Sequence, residues 1–171
     1  MTTVVLGAEP AELEQLIARR RARGQDLFDE VWEGVYHMAN APHFRHGYLD
    51  DAITRLLGPY AAGAGLVGTG PFNLGTKDDF RVPDHGYHRS FSDESWLSSA
   101  VVVVEVVSPD DETYQKFDFY AAHEVDELIV ADPRTQRISC YRRDGDHYLE
   151  SPRSEALGVS AAELTESIDW M

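Results

Sequence analysis

The residue that most constrains the fold is Glu105, an acid inside an almost unbroken run of valines from Ala100 to Ser108. Valine is β-branched, so a run of this density predicts a strand that is buried on both faces, in the middle of a covered sheet. Side chains alternate along a strand, which places Glu105 on the same face as Val103 and Val107. An ionised carboxylate without a partner there would cost several kcal/mol, so we expect a cation beside it.

Three partners for Glu105 are open from the residues alone. Lys116 is the nearest basic residue downstream and lies on the helix predicted to follow the strand, which can fold back on the sheet. A divalent metal is the second candidate, since hard oxygen ligands such as those of Asp84 and Glu105 suit such ions. Lysine and metal can both be present. The third candidate is an arginine from the first predicted helix, paired with Glu105 purely for packing.

The rest of the chain predicts a single α/β or α+β domain. The clearest helix has apolar residues at helical spacing from Leu49 to Tyr60, and two more are predicted, at Glu9 to Arg23 and at Asp111 to His123. Strands are predicted in five further segments: Val31 to Met38 as a hairpin turning at Gly34, Phe80 to Tyr87, Glu127 to Ala131, Arg137 to Arg142, and His147 to Glu150.

Two local features of this pattern carry expectations of their own. Pro83 lies inside the Phe80 to Tyr87 strand and suggests an edge position or a bulge, because proline cannot donate to a ladder. The last stretch, residues 151–171, is acidic and rich in small residues, and we expect a tail that docks through Ile168 and Trp170. We therefore expect one domain over residues 1–171 with its core at about 26–150.

Charge and cysteine content exclude several classes of protein. Thirty Asp and Glu against fifteen Lys and Arg give a net charge of −15, which repels phosphate backbones and anionic lipid at long range. Any nucleic acid would therefore have to bind at a local basic groove or at a bound metal cation.

The single cysteine, Cys140, cannot form an intramolecular disulfide, and the sequence has no signal-peptide pattern and no apolar run long enough for a bilayer. We expect a cytoplasmic protein that does not contact membranes.

Several motifs follow one another in a fixed order along the chain. They are Val82-Pro83-Asp84, then Val104-Glu105-Val106-Val107-Ser108-Pro109, then Lys116 ahead of Phe119-Tyr120, then Glu124-Val125-Asp126-Glu127-Leu128-Ile129-Val130-Ala131-Asp132-Pro133. In this order they resemble the Uma2 family, also known as DUF820, and the likeness extends upstream through His46 and the hairpin that follows Glu30. It covers roughly Asp26 to Tyr148. The family is assigned to the PD-(D/E)xK superfamily, so the resemblance implies a restriction-endonuclease-like fold with a central mixed sheet flanked by helices.

The resemblance also implies roles for individual residues. Asp84 and Glu105 match the metal-binding acids of the superfamily, with the Val106 backbone carbonyl as a further ligand, and Lys116 matches the family's lysine. A carboxylate-held Mg²⁺ or Mn²⁺ neutralises the phosphoryl oxygens and activates water, while a lysine orients that water or stabilises the developing charge. Glu30 and His46 are auxiliary residues, and Glu30 would complete the site or bind a second metal.

One departure from the superfamily pattern concerns the lysine. In the usual motif it lies two residues after the acid on the same strand, where this chain has Val107. Uma2 proteins take their lysine from the next helix, which is where Lys116 lies. The resemblance therefore predicts that strand and helix meet at the site.

The expected function is metal-dependent hydrolysis of phosphodiester bonds, with DNA as the substrate and a homodimer that can cut both strands of a duplex. Two alternatives remain open. A nucleic-acid- or protein-binding module could keep the nuclease fold without cleaving anything, which the net charge favours. A hydrolase acting on a sugar could use Asp84 and Glu105 without metal, so dependence on a divalent ion separates these classes.

Overall fold

The computed structural model describes residues 3–6, 11–108 and 112–170. Four α-helices lie in these residues, α1 (Ala11–Ala22), α2 (Phe44–Gly63), α3 (Phe117–Ala122) and α4 (Ala161–Glu166). A 3₁₀ turn, Thr113–Lys116, leads directly into α3. Within the described residues no helix is both long and apolar enough to span a bilayer.

The described residues also contain fourteen short strands. In chain order they are β1 (Thr3–Leu6), β2 (Glu30–Trp32), β3 (Val35–Ala39), β4 (Val67–Thr69), β5 (Asn73–Thr76), β6 (Asp79–Arg81), β7 (His85–His88), β8 (Trp96–Leu97), β9 (Val102–Val106), β10 (Glu127–Asp132), β11 (Arg137–Asp144), β12 (His147–Ser151), β13 (Arg153–Ser154) and β14 (Val159–Ser160).

The strands form two mixed sheets of six, in the orders β1-β3-β2-β6-β5-β8 and β12-β11-β10-β9-β7-β4, and a small β13-β14 pair. Each large sheet contains one parallel pair, β5 with β8 and β9 with β10. The mixed α+β fold class is thus confirmed. The expected mixed sheet that contains the valine strand is present, and a second mixed sheet of six strands accompanies it.

The two large sheets are connected where a single strand was expected. The segment from Phe80 to Tyr87 does not form one strand, since β6 ends at Arg81 in the first sheet and β7 begins at His85 in the second. Pro83 between them has no N–H to donate to a ladder, which permits the chain to leave one sheet and enter the other. Asp84 therefore lies at the junction of the two sheets.

The valine strand, β9, lies inside the second sheet, and all five of its residues are buried. On one face, Val102, Val104 and Val106 share a core with buried side chains of α2. On the other face, Val103 packs in a second core with Tyr120 of α3 and Leu74 of the first sheet. Glu105 points to this second face, so it lies between the two sheets.

A two-residue turn sets the position of Glu30 in the first sheet. Trp32 pairs with Val35 across the turn, and Glu33 and Gly34 both have positive φ, 49° and 83°. Two consecutive positive φ values are the geometry of the type I′ hairpin, which glycine accommodates without strain. The predicted hairpin at Gly34 is confirmed, with Glu30 opposite His37 at the start of β2.

The segment after Ser151 is part of the fold rather than a tail. It forms β13, β14 and α4, and it adds Leu157, Val159 and Leu164 to the core alongside Ile168. The buried carboxylate of Glu127 anchors it, since it accepts hydrogen bonds from the Ser154 hydroxyl and from the backbone N–H groups of Glu155 (2.9 Å) and Ala156 (3.0 Å). The core thus extends well beyond residue 150.

Truncating Leu164 tests whether this segment stabilises the whole domain. Leu164 is fully buried, so Leu164→Ala is expected to lower the free energy of unfolding by about 2–5 kcal/mol. Urea unfolding followed by circular dichroism measures this change, and Leu149→Ala on the exposed side of β12 is the matched control. Equal stability of the two variants would mean that the C-terminal segment is not coupled to the core.

Candidate active site

The cation beside buried Glu105 is Lys116. Its Nζ lies 3.2 Å from Glu105 Oε1, and the Tyr120 hydroxyl donates to the same oxygen. Lys116 ends the 3₁₀ turn and Tyr120 follows it by four residues, one helical turn, so both side chains face β9. The arginine alternative is wrong, because Arg20 of α1 pairs with Asp29 at 2.7 Å.

Glu30 brings the first sheet to the same lysine. Lys116 Nζ lies 3.0 Å from Glu30 Oε1, and both side chains are buried. The Val82 backbone N–H donates to that oxygen (2.7 Å), while Trp32 Nε1 donates to Oε2 (2.6 Å). Each carboxylate oxygen of Glu30 is thus fixed by a donor, and a single ammonium connects acids from both sheets.

The Asp84 side chain is held at the junction by one hydrogen bond to each of its carboxylate oxygens. The Val106 backbone N–H donates to Asp84 Oδ2 at 2.8 Å, and His46 Nε2 donates to Oδ1 at 3.0 Å. The other ring nitrogen of His46, Nδ1, shares a hydrogen bond of 2.8 Å with Ser108 Oγ. Since β7 pairs His85 with Val104 in antiparallel register, Asp84 lies one step further, opposite Glu105.

The charges of the site shift the pKa values of its groups. Burial raises the pKa of Glu105 above its usual range, and the negative charges of Asp84 and Glu30 act in the same direction, against Lys116 and Tyr120. Burial alone would lower the pKa of Lys116, but attraction by Glu105, Glu30 and Asp84 raises it instead. For His46, burial is likewise outweighed by the hydrogen bond that the imidazole donates to Asp84 and by the charge of Asp84, and its pKa is raised. Lys116 is therefore a fixed positive charge at neutral pH.

The donors present suit a hard divalent ion of the magnesium class. Glu30 and Glu105 share Lys116, and Asp84 is paired with His46, so three acids are gathered around one lysine and one histidine. Within the described ranges no group of three or more His, Cys, Asp or Glu side chains is arranged to hold a metal ion. Magnesium is commonly bound through only one or two carboxylates and keeps several waters, so the pair Asp84 and Glu105 fits this ion.

Two residues near these acids had no role in the sequence-based expectations. Tyr120 donates to Glu105, and its place four residues after Lys116 is the signal that could have identified it. Asp50 follows His46 by four residues on α2 in the same way. Burial raises the pKa of Asp50 to about 6, and repulsion by Asp84 adds to the effect. Asp50 is thus a further acid within electrostatic reach of Asp84.

Neutralising Asp50 is expected to stabilise the protein at neutral pH. Its pKa is about 6 in the fold against 3.8 for the ordinary group, so the folded state binds this proton more tightly than the unfolded chain. The resulting penalty is absent below about pH 4 and complete above about pH 6. The pKa difference corresponds to a penalty of at most about 3 kcal/mol in the free energy of unfolding. Partial solvent exposure of Asp50 reduces this penalty to about 1–2 kcal/mol.

Urea unfolding in EDTA measures this effect in Asp50→Asn at two pH values. We expect the variant to be more stable than the parent at pH 7.5 and equal to it near pH 3.5. Asp51→Asn is the control, because Asp51 is exposed and pairs with Arg55 on the outer side of α2. A gain that is the same at both pH values would contradict the electrostatic explanation.

Comparison with known proteins places this geometry in a family. A family model named Uma2, with the description "Putative restriction endonuclease", matches residues 10–169. The fold is similar to the crystal structure of "a putative nuclease belonging to DUF820" from Anabaena variabilis ATCC 29413. That similarity has a TM-score of 0.60 and 15% sequence identity, and it covers 81% of this chain and 90% of the other. No curated protein sequence matches the chain.

The match to the family model spans nearly the whole chain, including both large sheets except β1, the C-terminal segment, and Asp84, Glu105 and Lys116. The structural similarity at low sequence identity independently supports the fold. The chain therefore belongs to the Uma2 family.

Proposed function

We propose that the protein is a metal-dependent nuclease that hydrolyses phosphodiester bonds, with DNA as its substrate. The observation that carries the proposal is the position of Lys116, whose ammonium lies 3.0 Å from Glu30 and 3.2 Å from Glu105 next to Asp84. Buried acids gathered around one fixed cation are costly for stability, and such clusters are typical of functional sites.

Asp84, Glu105 and the Val106 carbonyl are the groups that would hold Mg²⁺ or Mn²⁺. When bound, such an ion supplies charge neutralisation at the phosphoryl group and an activated water. Asp84 is the most exposed of the acid and lysine side chains in the cluster, so substrate would approach from its side.

The chain's own residues orient the acids and supply positive charge. The Val106 N–H and His46 fix the two oxygens of Asp84, and Tyr120 fixes Glu105. Because Lys116 stays protonated, it acts as an electrostatic donor to negative charge that develops on the phosphate, not as a base. Glu30 is a positioning residue that holds the lysine in place.

A cleavage assay with controlled metal content tests the proposal. Supercoiled plasmid and circular single-stranded DNA are incubated with the protein in EDTA, and then with added Mg²⁺, Mn²⁺ or Ca²⁺. We expect nicked or linear products with Mg²⁺ or Mn²⁺ and intact DNA in EDTA. Binding of DNA without cleavage under every condition would instead favour the binding module, and cleavage of a glycoside in EDTA would favour the sugar hydrolase.

We also propose that the protein acts as a C₂ homodimer, which would supply two sites for the two strands of a duplex. Edge strand β8 of the first sheet carries Trp96, a large apolar side chain that is exposed, and a second copy covering such an edge would bury it. Sedimentation velocity at micromolar concentration is expected to give twice the 19.2 kDa chain mass. A purely monomeric profile would contradict the proposal.

A further inference from the structure

Exposed aromatic and arginine side chains occur together beside the proposed nuclease site. We call this group the rim, and it consists of Phe44, Arg45, Tyr114 and Arg134. Phe44 is 81% exposed and Tyr114 is 52% exposed, and the Arg134 side chain is 87% exposed. Exposed apolar side chains that are grouped, rather than scattered singly, are the ones that mark interaction sites.

One half of the rim is placed by α2. Phe44 and Arg45 immediately precede His46, which donates to Asp84. Arg45 Nη2 donates to the Pro133 carbonyl at 3.3 Å, so its side chain reaches from the start of α2 to the end of β10. These residues therefore lie at the same edge of the second sheet as the site.

The other half follows β10 and precedes Lys116. Strands β9 and β10 are parallel, and the Val107 N–H donates to the Ala131 carbonyl (2.9 Å), so their carboxyl ends share one edge. Arg134 follows β10 directly, and its guanidinium lies 3.8 Å from Asp132. Tyr114 is two residues before Lys116 in the same 3₁₀ turn, and its ring contacts that of Phe117 at a centroid distance of 5.5 Å.

Aromatic faces and guanidinium groups are what single-stranded nucleic acid requires of a protein surface. Unpaired bases stack on aromatic rings, and arginines contact the backbone phosphates. In an intact duplex the bases are already stacked and paired, so exposed rings such as those of Phe44 and Tyr114 gain little there. In a chain with a net charge of −15, two arginines at the edge of the site supply local positive charge.

We propose that the rim binds single-stranded DNA and presents it to the Asp84 and Glu105 site, so that the substrate is unpaired DNA or the unpaired part of a duplex. The inference rests on the proposed nuclease function and specifies its substrate. It assigns Phe44 and Tyr114 to base stacking and Arg45 and Arg134 to phosphate contacts.

A second exposed aromatic and arginine pair provides matched controls. Phe91 is 77% exposed, and exposed Arg89 pairs with Asp126 at 3.1 Å. Both line a cavity of about 450 Å³ together with Ala100 and Val101, the two residues directly before β9. They lie at the opposite end of β9 from Glu105, so substitutions there change the same residue types away from the site.

Fluorescence anisotropy in Ca²⁺ with a labelled 20-nucleotide dT oligomer and a labelled 20-base-pair duplex tests the rim. We expect the parent to bind the oligomer at least tenfold more tightly than the duplex. Phe44→Ala and Tyr114→Ala are each expected to weaken oligomer binding about fivefold or more, whereas Phe91→Ala leaves it unchanged. Arg134→Ala is expected to reduce the slope of log affinity against log salt by about 0.7, and Arg89→Ala to leave it unchanged. Thermal melts confirm that each variant folds.

Equal affinity for the oligomer and the duplex would overturn the proposal. An equal loss of oligomer affinity in Phe91→Ala and Phe44→Ala would also overturn it, and so would a parent protein that binds neither DNA. Cleavage by the same preparations in Mn²⁺ separates this result from the nuclease function. Cleavage of duplex without a preference for single strands overturns the rim alone. Selective oligomer binding that depends on the rim, without cleavage in any metal, supports single-strand binding by the rim and contradicts the proposed nuclease activity.

Discussion

Lys116→Met is expected to abolish metal-dependent cleavage and to lower the free energy of unfolding at pH 7.5 by about 3–5 kcal/mol. The ammonium contacts Glu30 and Glu105 at 3.0 and 3.2 Å, and its removal leaves two buried carboxylates without their counter-charge. It also removes the fixed positive charge available to the phosphate. Plasmid cleavage in Mn²⁺ and urea unfolding measure the two effects.

The pH dependence of this variant separates charge from packing. Removing Lys116 raises the pKa of Glu105 further, because a neighbouring positive charge is lost. An acid whose pKa is raised in the fold favours folding as pH falls, so the stability deficit is expected to narrow from pH 9 to pH 5. A deficit independent of pH would indicate lost packing of the methylene chain instead.

Two further variants keep this prediction testable if Lys116→Met folds poorly. Lys77→Met is the matched control, since Lys77 is the other lysine of the chain and is exposed. The double variant Lys116→Met with Glu105→Gln removes both charges of the buried pair, so it is expected to regain stability without regaining cleavage. A folded Lys116→Met protein that cleaves at the parental rate would remove the lysine from the mechanism.

Asp84→Asn is expected to reduce cleavage on the order of 10³-fold or more while leaving stability unchanged or raised. Loss of one ligand carboxylate removes several kcal/mol of metal-dependent stabilisation, and each 1.36 kcal/mol is a factor of ten in rate. Removing this negative charge relieves Glu105 and Asp50, whose pKa values it raises, and this offsets the one hydrogen bond that Asn can no longer accept from His46 or the Val106 N–H. Loss of activity without loss of stability is the signature of a functional acid rather than a structural one.

Isothermal titration with Mn²⁺ provides the direct measurement for Asp84→Asn. The parent is expected to bind the ion, and the variant to bind it at least tenfold more weakly. Asp51→Asn is the control, because it removes an exposed carboxylate from the outer side of α2 without changing the site. Unchanged Mn²⁺ affinity in Asp84→Asn would exclude this residue as a ligand.

Local chemistry explains which features could be predicted from the sequence. The burial of Glu105 follows from the valines around it, and its partner follows from the short connection to the helix that contains Lys116. The strand break at Pro83 could not be predicted, because a proline is equally compatible with a bulge, an edge or a change of sheet. The C-terminal core residues were missed because Leu157, Val159 and Leu164 are separated by small and acidic residues, which gives a weak apolar pattern.

The acids of the proposed site come from both large sheets, which we call the two halves of the protein. We therefore expect activity to be lost when the contact between the halves is lost. Glu30 belongs to the first sheet and Glu105 to the second, and the ammonium of Lys116 contacts both. The site exists only while the halves are docked, even if each half keeps its own strands. Heating is therefore expected to inactivate the protein at a lower temperature than the one at which its circular dichroism changes. A genetic screen for lost activity is likewise expected to return substitutions throughout the interface between the halves. Loss of the proposed activity would therefore report separation of the two large sheets.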